Sequence, residues 1–271
     1  MKSLDSALRV FLEFSRDSGR WSVGDLCLKT GLKKSQVSKI LAGFREHGLL
    51  TQDSRTREYC VGVRTVALAG QYLKSNMLSR EALSPMRRVV NLTEHTATLC
   101  VLDGSDVMYL LSVESEQFID HGWRAGSYIP FHATAAGKLL VAFLPDDEVD
   151  RIIAAKGMPR YTPTTICDAD ALRAEFQVIR KNGVALTHSE GTPGGGARAV
   201  PVFGEHQQVI AALGVVYAYH LVTEKTGRDI TRSLHYQAQM LSLRMGARVY
   251  PYGPAKEPSR RTQLAATRLS T

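Results

Sequence analysis

The chain is poor in the features that bind metal, cross a bilayer or build a disulfide scaffold. Its four cysteines, Cys27, Cys60, Cys100 and Cys167, stand 33, 40 and 67 positions apart. No CxxC pair exists among them, so neither a zinc site nor a disulfide framework is expected. No metal and no cofactor is assigned. No apolar run approaches the roughly 20 residues that a bilayer-spanning helix needs. The amphipathic start, MKSLDSALRVFLEF, carries Asp5 and Glu13, unlike the apolar core of a signal peptide. A cytoplasmic protein is the expectation.

Catalytic signatures are missing too. A phosphate loop needs a glycine five positions before Gly137 and a Ser or Thr after Lys138, but His132 and Leu139 stand there. The string GTPGGGA, with Gly194, Gly195 and Gly196, has no GxGxxG spacing and reads as a turning loop. His132, His188 and Glu190 are the best acid–base candidates, yet no GxSxG or HExxH accompanies them. No catalytic residue is assigned, and an enzyme working through His132 or His188 stays the weaker alternative.

What the sequence does have is uneven charge. The net charge of +8 over 271 residues divides into +5 for residues 1–65, −1 for 66–247 and +4 for 248–271. The length favours two domains. A basic end beside a neutral middle suggests a polyanion-binding module joined to a module with different work.

The first module reads as three short helices and a hairpin. Leu4, Ala7, Leu8, Phe11, Leu12 and Phe14 recur at helical spacing after Ser3. Ser22 and Asp25 form a capping-box pattern before VGDLCLKT, and Gly31 is placed to end that helix. Ser35 can start the next, with Val37, Ile40, Leu41 and Phe44 as its apolar stripe and Gly48 at its end. Two helices about a short Gly-containing turn match a helix-turn-helix. The opposite face, with Gln36, Ser38, Lys39, Ala42 and Gly43, is small, polar and basic. Glycine inside a helix costs about 1 kcal/mol against alanine, so Gly43 makes sense where another backbone comes close. Alternation around DSRTR predicts a hairpin from Leu50 to Val61, with Arg55 and Arg57 at its tip. VRTVALAGQYLKSNML then carries an apolar stripe, fit either for packing on its own domain or for a dimer seam.

From residue 80 the pattern becomes α+β. A helix limited by Pro85 precedes the strands ATLCVLD and VMYLLSV. HATAAGKLLVAFL, DDEVDRIIAAK and DADALRAEFQVIRKNG read as helices, followed by strands at VALTHS, ARAVPVF and QVIAALGVVYAY. A long helix, TGRDITRSLHYQAQMLSLRMGA, closes the domain, and the Pro-bearing tail from Tyr250 is expected to be disordered.

SLDSALRVFLEF, GLKKSQVSKILAGFREHGLL, TREYCVGVRTVALAG and above all YIPFHATAAGKLLVAFL, in that order, resemble the IclR family of bacterial transcriptional regulators. The resemblance spans about residues 3–247. It implies an N-terminal winged helix-turn-helix (1–62), a linker helix (63–79), a GAF-like antiparallel-sheet effector domain (80–247) and a basic tail (248–271). It implies a homodimer, or a dimer of dimers, on double-stranded operator DNA, controlled by a small organic acid. Lys34, Ser35, Gln36, Ser38, Lys39 and Gly43 then face the major groove, with Arg55 and Arg57 on backbone or minor groove.

The effector pocket is placed at Ala135, Ala136, His188, Ala197, Arg198, Gly214, Val216 and Tyr217. Here the chain departs from the family pattern. His188 stands where an Asp is common, Gly196 and Ala197 where an Arg and a Cys are, and Gly214 and Val216 where a Ser-x-Ser pair is. Those changes favour a larger, flatter acid or amide over a two-carbon acid, with Arg198 as a clamp and Tyr217 as an aromatic wall. A DNA-binding architectural protein whose second domain only oligomerises is the other alternative.

Overall fold

The structure is a computed structural model that describes residues 2–15, 19–116 and 123–253. The chain divides into two compact units, Met1–Asn76 and Met77–Thr271.

The first unit holds α1 (Lys2–Leu12), a 3-10 turn (Glu13–Ser15), β1 (Arg20–Trp21), α2 (Val23–Thr30), α3 (Lys34–Glu46), β2 (Leu50–Gln52), β3 (Tyr59–Val61) and α4 (Arg64–Ser75). Its core is Val10, Phe14, Trp21, Leu26, Val37, Leu41, Leu50 and Tyr59. The capping box forms between Ser22 and Asp25, and Gly31 takes the left-handed conformation that ends α2. Helix α3 begins one residue before Ser35, where the Gln36 side-chain oxygen accepts from the Lys33 N–H at 3.3 Å.

Three expectations are corrected in this unit. Helix α1 carries two apolar faces, and the core takes the one with Val10 and Phe14; Leu4, Leu8 and Leu12 are exposed instead. The hairpin gains a third strand, β1, too short to show a period in sequence, in the order β1-β3-β2. The linker helix assigned to 63–79 breaks at Asn76, whose backbone is extended.

The second unit opens with α5 (Met77–Thr93), which runs through Pro85 rather than stopping there. A proline inside a helix costs about 3 kcal/mol. Burial of Leu78, Ala82, Pro85, Met86 and Val89 along one face of α5 offsets it. There follow β4 (Thr96–Asp103), β5 (Asp106–Val113), β6 (Tyr128–Ile129), α6 (Ala135–Ala142), α7 (Asp146–Lys156), α8 (Ala169–Asn182), β7 (Ala185–His188), β8 (Gly195–Phe203), β9 (Val209–Ala218) and α9 (Glu224–Arg244). The sheet is antiparallel with order β6-β5-β4-β9-β8-β7.

Helices cover both faces of that sheet, so its central strands are nearly all apolar. One face packs Ala97, Leu99, Leu213 and Val215 against Met86, Val89, Ile230 and Leu234 of α5 and α9. The other packs Cys100, Ala199 and Ala212 against Leu139, Leu140 and Phe176 of α6 and α8. The expected disorder from Tyr250 is overturned as far as Gly253. Tyr250 is buried, with its hydroxyl 2.9 Å from His235 Nδ1, and the Tyr252 hydroxyl donates to the Arg180 carbonyl at 2.6 Å. The rest of the tail, 254–271, lies outside the described residues.

Two stability predictions follow from this packing. A Cβ on Gly137, in the first turn of α6, would lie 2.6 Å from Phe131 Cα and 2.7 Å from the carbonyl oxygens of Phe131 and Pro130. Gly137→Ala is therefore expected to cost roughly 1–3 kcal/mol, read by chemical denaturation. Burial lowers His235 to about 4, against about 6.5 in an unfolded chain. Its contribution is thus full above about pH 6.5 and is lost as pH falls toward 4, because the unfolded chain takes up the proton first. Up to about 3 kcal/mol should disappear over that window. His235→Gln should flatten this part of the profile, leaving the slope of the other buried histidines; an unchanged profile would contradict it.

Candidate functional site

On the first unit the outer face of α3 meets a groove shared with α1, lined by Ser3, Ser6, Ala7, Gln36, Lys39, Gly43 and His47. Lys34, Ser35, Gln36 and Lys39 are exposed, and Ser38 and Gly43 are half-buried. Apart from its own helix, no atom of the described residues lies within 4 Å of where a Gly43 Cβ would sit. The described residues therefore do not supply the close backbone expected to explain that glycine. Gln36 spends one carboxamide lone pair on the helix start, and its NH₂ group retains its two donors.

The hairpin tip is built by Asp53. Its carboxylate accepts from the backbone N–H groups of Thr56 at 2.9 Å and Arg55 at 2.8 Å, which hold it below the usual carboxylate range. Arg57 sits at φ 62°, turned into the left-handed region, and both tip arginines are exposed. Arg45 donates to the Gln52 side-chain oxygen at 3.0 Å, and the Gln52 amide donates to the Arg57 carbonyl at 2.8 Å. This chain of bonds fixes the tip relative to α3. Sequence reasoning missed Arg45 and Gln52, since nothing in their spacing pairs a helix residue with a strand residue.

On the second unit a cavity of about 310 Å³ lies between the start of α6 and the sheet. Its floor includes Thr98, Cys100, Ala197, Ala199, Val216 and Thr187; Ala135, Ala136, Trp123 and the loop at Gly191–Gly194 enclose it. Thr134 caps α6 by accepting from the Gly137 N–H at 3.1 Å. The Ala135 and Ala136 N–H groups, in the first turn, have no intrahelical partner.

Of the residues placed in this pocket from sequence, the structure brings Ala135, Ala136, Ala197, Arg198, Val216 and Tyr217 to its lining. The roles given to Arg198 and Tyr217 need correction. Alternate strand residues face opposite sides, and Ala197 and Ala199 face α6. The Arg198 side chain therefore points the other way, where it donates to Thr231 Oγ1 of α9 at 3.0 Å. Tyr217 lies on the same side, with its ring over Gly196 and 5.5 Å from His95. Burial raises its hydroxyl, and Arg198 opposes that rise. Neither is an arm reaching into the cavity. His188 is exposed and tilted against Tyr219 at 4.6 Å, outside the lining. Gly214 is required by close packing: a Cβ there would lie 2.7 Å from the Arg198 carbonyl oxygen and 3.0 Å from Thr98 Oγ1. Thr98, Cys100, Tyr109, Trp123, Thr187 and His220 line the cavity and were missed.

Beside the cavity, Lys138 is fully buried and paired with Glu175 at 2.9 Å and Glu190 at 2.5 Å. Burial pushes the Glu190 carboxyl up, and Lys138 opposes that shift. The Glu190 carbonyl also accepts from Thr165 Oγ1 at 2.6 Å. The start of the enclosing loop is thus tied to α6 and to the segment before α8. His132 is buried and donates from Nε2 to the Pro159 carbonyl at 2.9 Å, the only role a carbonyl partner permits. Burial lowers its imidazole. Among the described residues no side-chain hydrogen bond joins His132, His188 and Glu190 as a nucleophile and base.

Comparison with known proteins agrees with this anatomy. The IclR helix-turn-helix domain matches residues 3–54, and the bacterial transcriptional regulator IclR C-terminal domain matches residues 70–243. The HTH-type transcriptional regulator KdgR of Escherichia coli (strain K12) is 28% identical, covering 92% of this chain and 96% of its own. The crystal structure of an IclR transcriptional regulator from Alicyclobacillus acidocaldarius shares the fold with a TM-score of 0.79 at 23% identity, covering 91% of this chain and 99% of its own. An IclR homolog from Microbacterium hydrocarbonoxydans, complexed with 4-hydroxybenzoate, superposes with a TM-score of 0.72 at 23% identity, covering 90% and 98%. The curated relatives are transcriptional regulators, not enzymes. Among the described residues no helix is long and apolar enough to cross a membrane. With both domains matched in order, this chain belongs to the IclR family of DNA-binding bacterial transcriptional regulators.

Proposed function

We propose that this regulator binds a small monocarboxylic acid or related amide in the second-unit cavity, and that occupancy sets its affinity for a palindromic operator. The observation that carries the reading is the first turn of α6 facing a floor of small residues. A helix N-terminus carries roughly half a positive charge, so the Ala135 and Ala136 N–H groups suit a carboxylate. Trp123 and Tyr109 offer ring surfaces, which favours an aromatic acid. The 4-hydroxybenzoate bound by one structural relative supports that class. With Arg198 turned toward α9, the acid's charge is met by backbone dipoles rather than by a guanidinium.

On the DNA side, Gln36, Ser38 and Lys39 read bases, with Lys34 and Ser35 near the backbone and Gly43 allowing close approach. Arg55 and Arg57 hold phosphate or minor groove. Each good bidentate base contact is worth about 1–3 kcal/mol of discrimination, whereas phosphate contacts weaken uniformly with salt. A homodimer supplies the two half-sites. Among the described residues helix α4 has no buried side chain, although Val66, Leu68 and Leu73 lie on it. Exposed Leu4, Leu8 and Leu12 of α1 add a second apolar row. Such surfaces fit a second copy.

Two experiments test the reading. In mobility shifts with the full chain, 4-hydroxybenzoate or a related benzoate should change operator affinity by roughly 5–150-fold. Ala136→Trp should abolish that change and leave acid-free DNA binding intact; a retained response would place the ligand elsewhere. Val66→Glu with Leu73→Glu should lower dimer content and operator affinity together, and a monomer with full operator affinity would contradict the dimer.

A further inference from the structure

Two hydroxyls in the cavity remain without a use. Thr98 on β4 and Thr187 on β7 are each 4% exposed, and both line the cavity. Neither side-chain hydroxyl has a hydrogen-bond partner among the described residues. With no partner in the described chain, each hydroxyl must bond what enters the cavity, water or a ligand. Valine would form the same wall without a polar group, so a threonine at each place points to a partner arriving from outside.

The placement of the two hydroxyls narrows what that partner is. The sheet order β4-β9-β8-β7 sets them three strand spacings apart, about 14 Å on a flat sheet. The floor between them is low, with Gly214 and Ala199 in line with Thr98, and Ala197 and Val216 in line with Thr187. Thr98 Oγ1 leans over Gly214, at 3.0 Å from where a Cβ would be. Helix α6 packs against Ala199 and Ala212 of the central strands β8 and β9. An acid group at its first turn thus sits over the middle of the floor, with one hydroxyl toward each flank.

Resting on the acid-pocket reading above, we propose that Thr98 and Thr187 are specificity residues that select an acid bearing hydroxyl groups over the bare acid. A threonine hydroxyl both donates and accepts, so a ligand hydroxyl satisfies it in either sense. A site built to hydrogen-bond a ligand hydroxyl discriminates strongly against the analogue that lacks it, since the protein group is then left unpaired. A hydroxylated aromatic ring and a polyhydroxylated aliphatic chain share this chemistry.

Calorimetry on the full chain with benzoate, 3,5-dihydroxybenzoate and gluconate tests the proposal. The unaltered protein should bind one of the two hydroxylated acids at least about tenfold more tightly than benzoate, and which one distinguishes ring from chain. At least one of Thr98→Val and Thr187→Val should weaken that hydroxylated acid about tenfold and leave benzoate unchanged. Thr98→Ser and Thr187→Ser, which keep the hydroxyl, should retain the preference, separating hydrogen bonding from altered packing. If the valine variants keep the wild-type preference, the selection by threonine is wrong while the acid pocket stands. If none of the three acids binds and Ala136→Trp behaves as wild type, the acid pocket falls, and this inference with it.

Discussion

The second unit depends on how closely the first turn of α6 approaches the backbone before it. Gly137 lets that turn lie against Pro130 and Phe131, where a single Cβ would meet three backbone atoms. Thr134 closes the turn from the front, and Lys138 anchors it from behind through Glu175 and Glu190. Burying a lysine with two carboxylates is costly unless geometry is good, and breaking one partner would leave an uncompensated charge. The arrangement holds the first turn of α6 over a sheet floor rich in alanine and threonine. Move α6 outward and the cavity loses one of its walls.

The first unit rests on a similar economy of contacts. A small core around Leu26, Val37 and Leu41 sets α2 against α3. The path Arg45–Gln52–Arg57 then fixes the hairpin tip relative to α3 with two hydrogen bonds. The charge excess of +5 in residues 1–65 gives this unit its attraction to a polyanion, while residues 66–247 are nearly neutral.

Local signals were the readable ones. Ser22 with Asp25, and Gly31, marked helix ends because each works through its own backbone neighbours. The strands of the sheet showed as apolar runs, and the family's order of motifs gave the class. Side-chain direction did not show. Both faces of the sheet are covered, so no polar alternation told which parity of Ala197-Arg198-Ala199 faced α6, and Arg198 was read as a clamp when it serves α9. Thr98 and Thr187 looked like ordinary β-branched strand residues. In the tail, a polar, basic and proline-bearing composition suggested disorder, yet Tyr250 and Tyr252 dock on His235 and Arg180. Pro85 misled in the same way, since tertiary packing outweighed a local penalty.

The central claim is that an acid sits on the first turn of α6. The most direct measurement follows the backbone amide resonances of Ala135 and Ala136 while 4-hydroxybenzoate, or whichever acid shifts operator affinity, is titrated into the full chain. The account predicts that both amide protons move downfield and saturate at the concentration that half-changes DNA affinity. A ligand that alters DNA binding while those two amides stay where they are would contradict it.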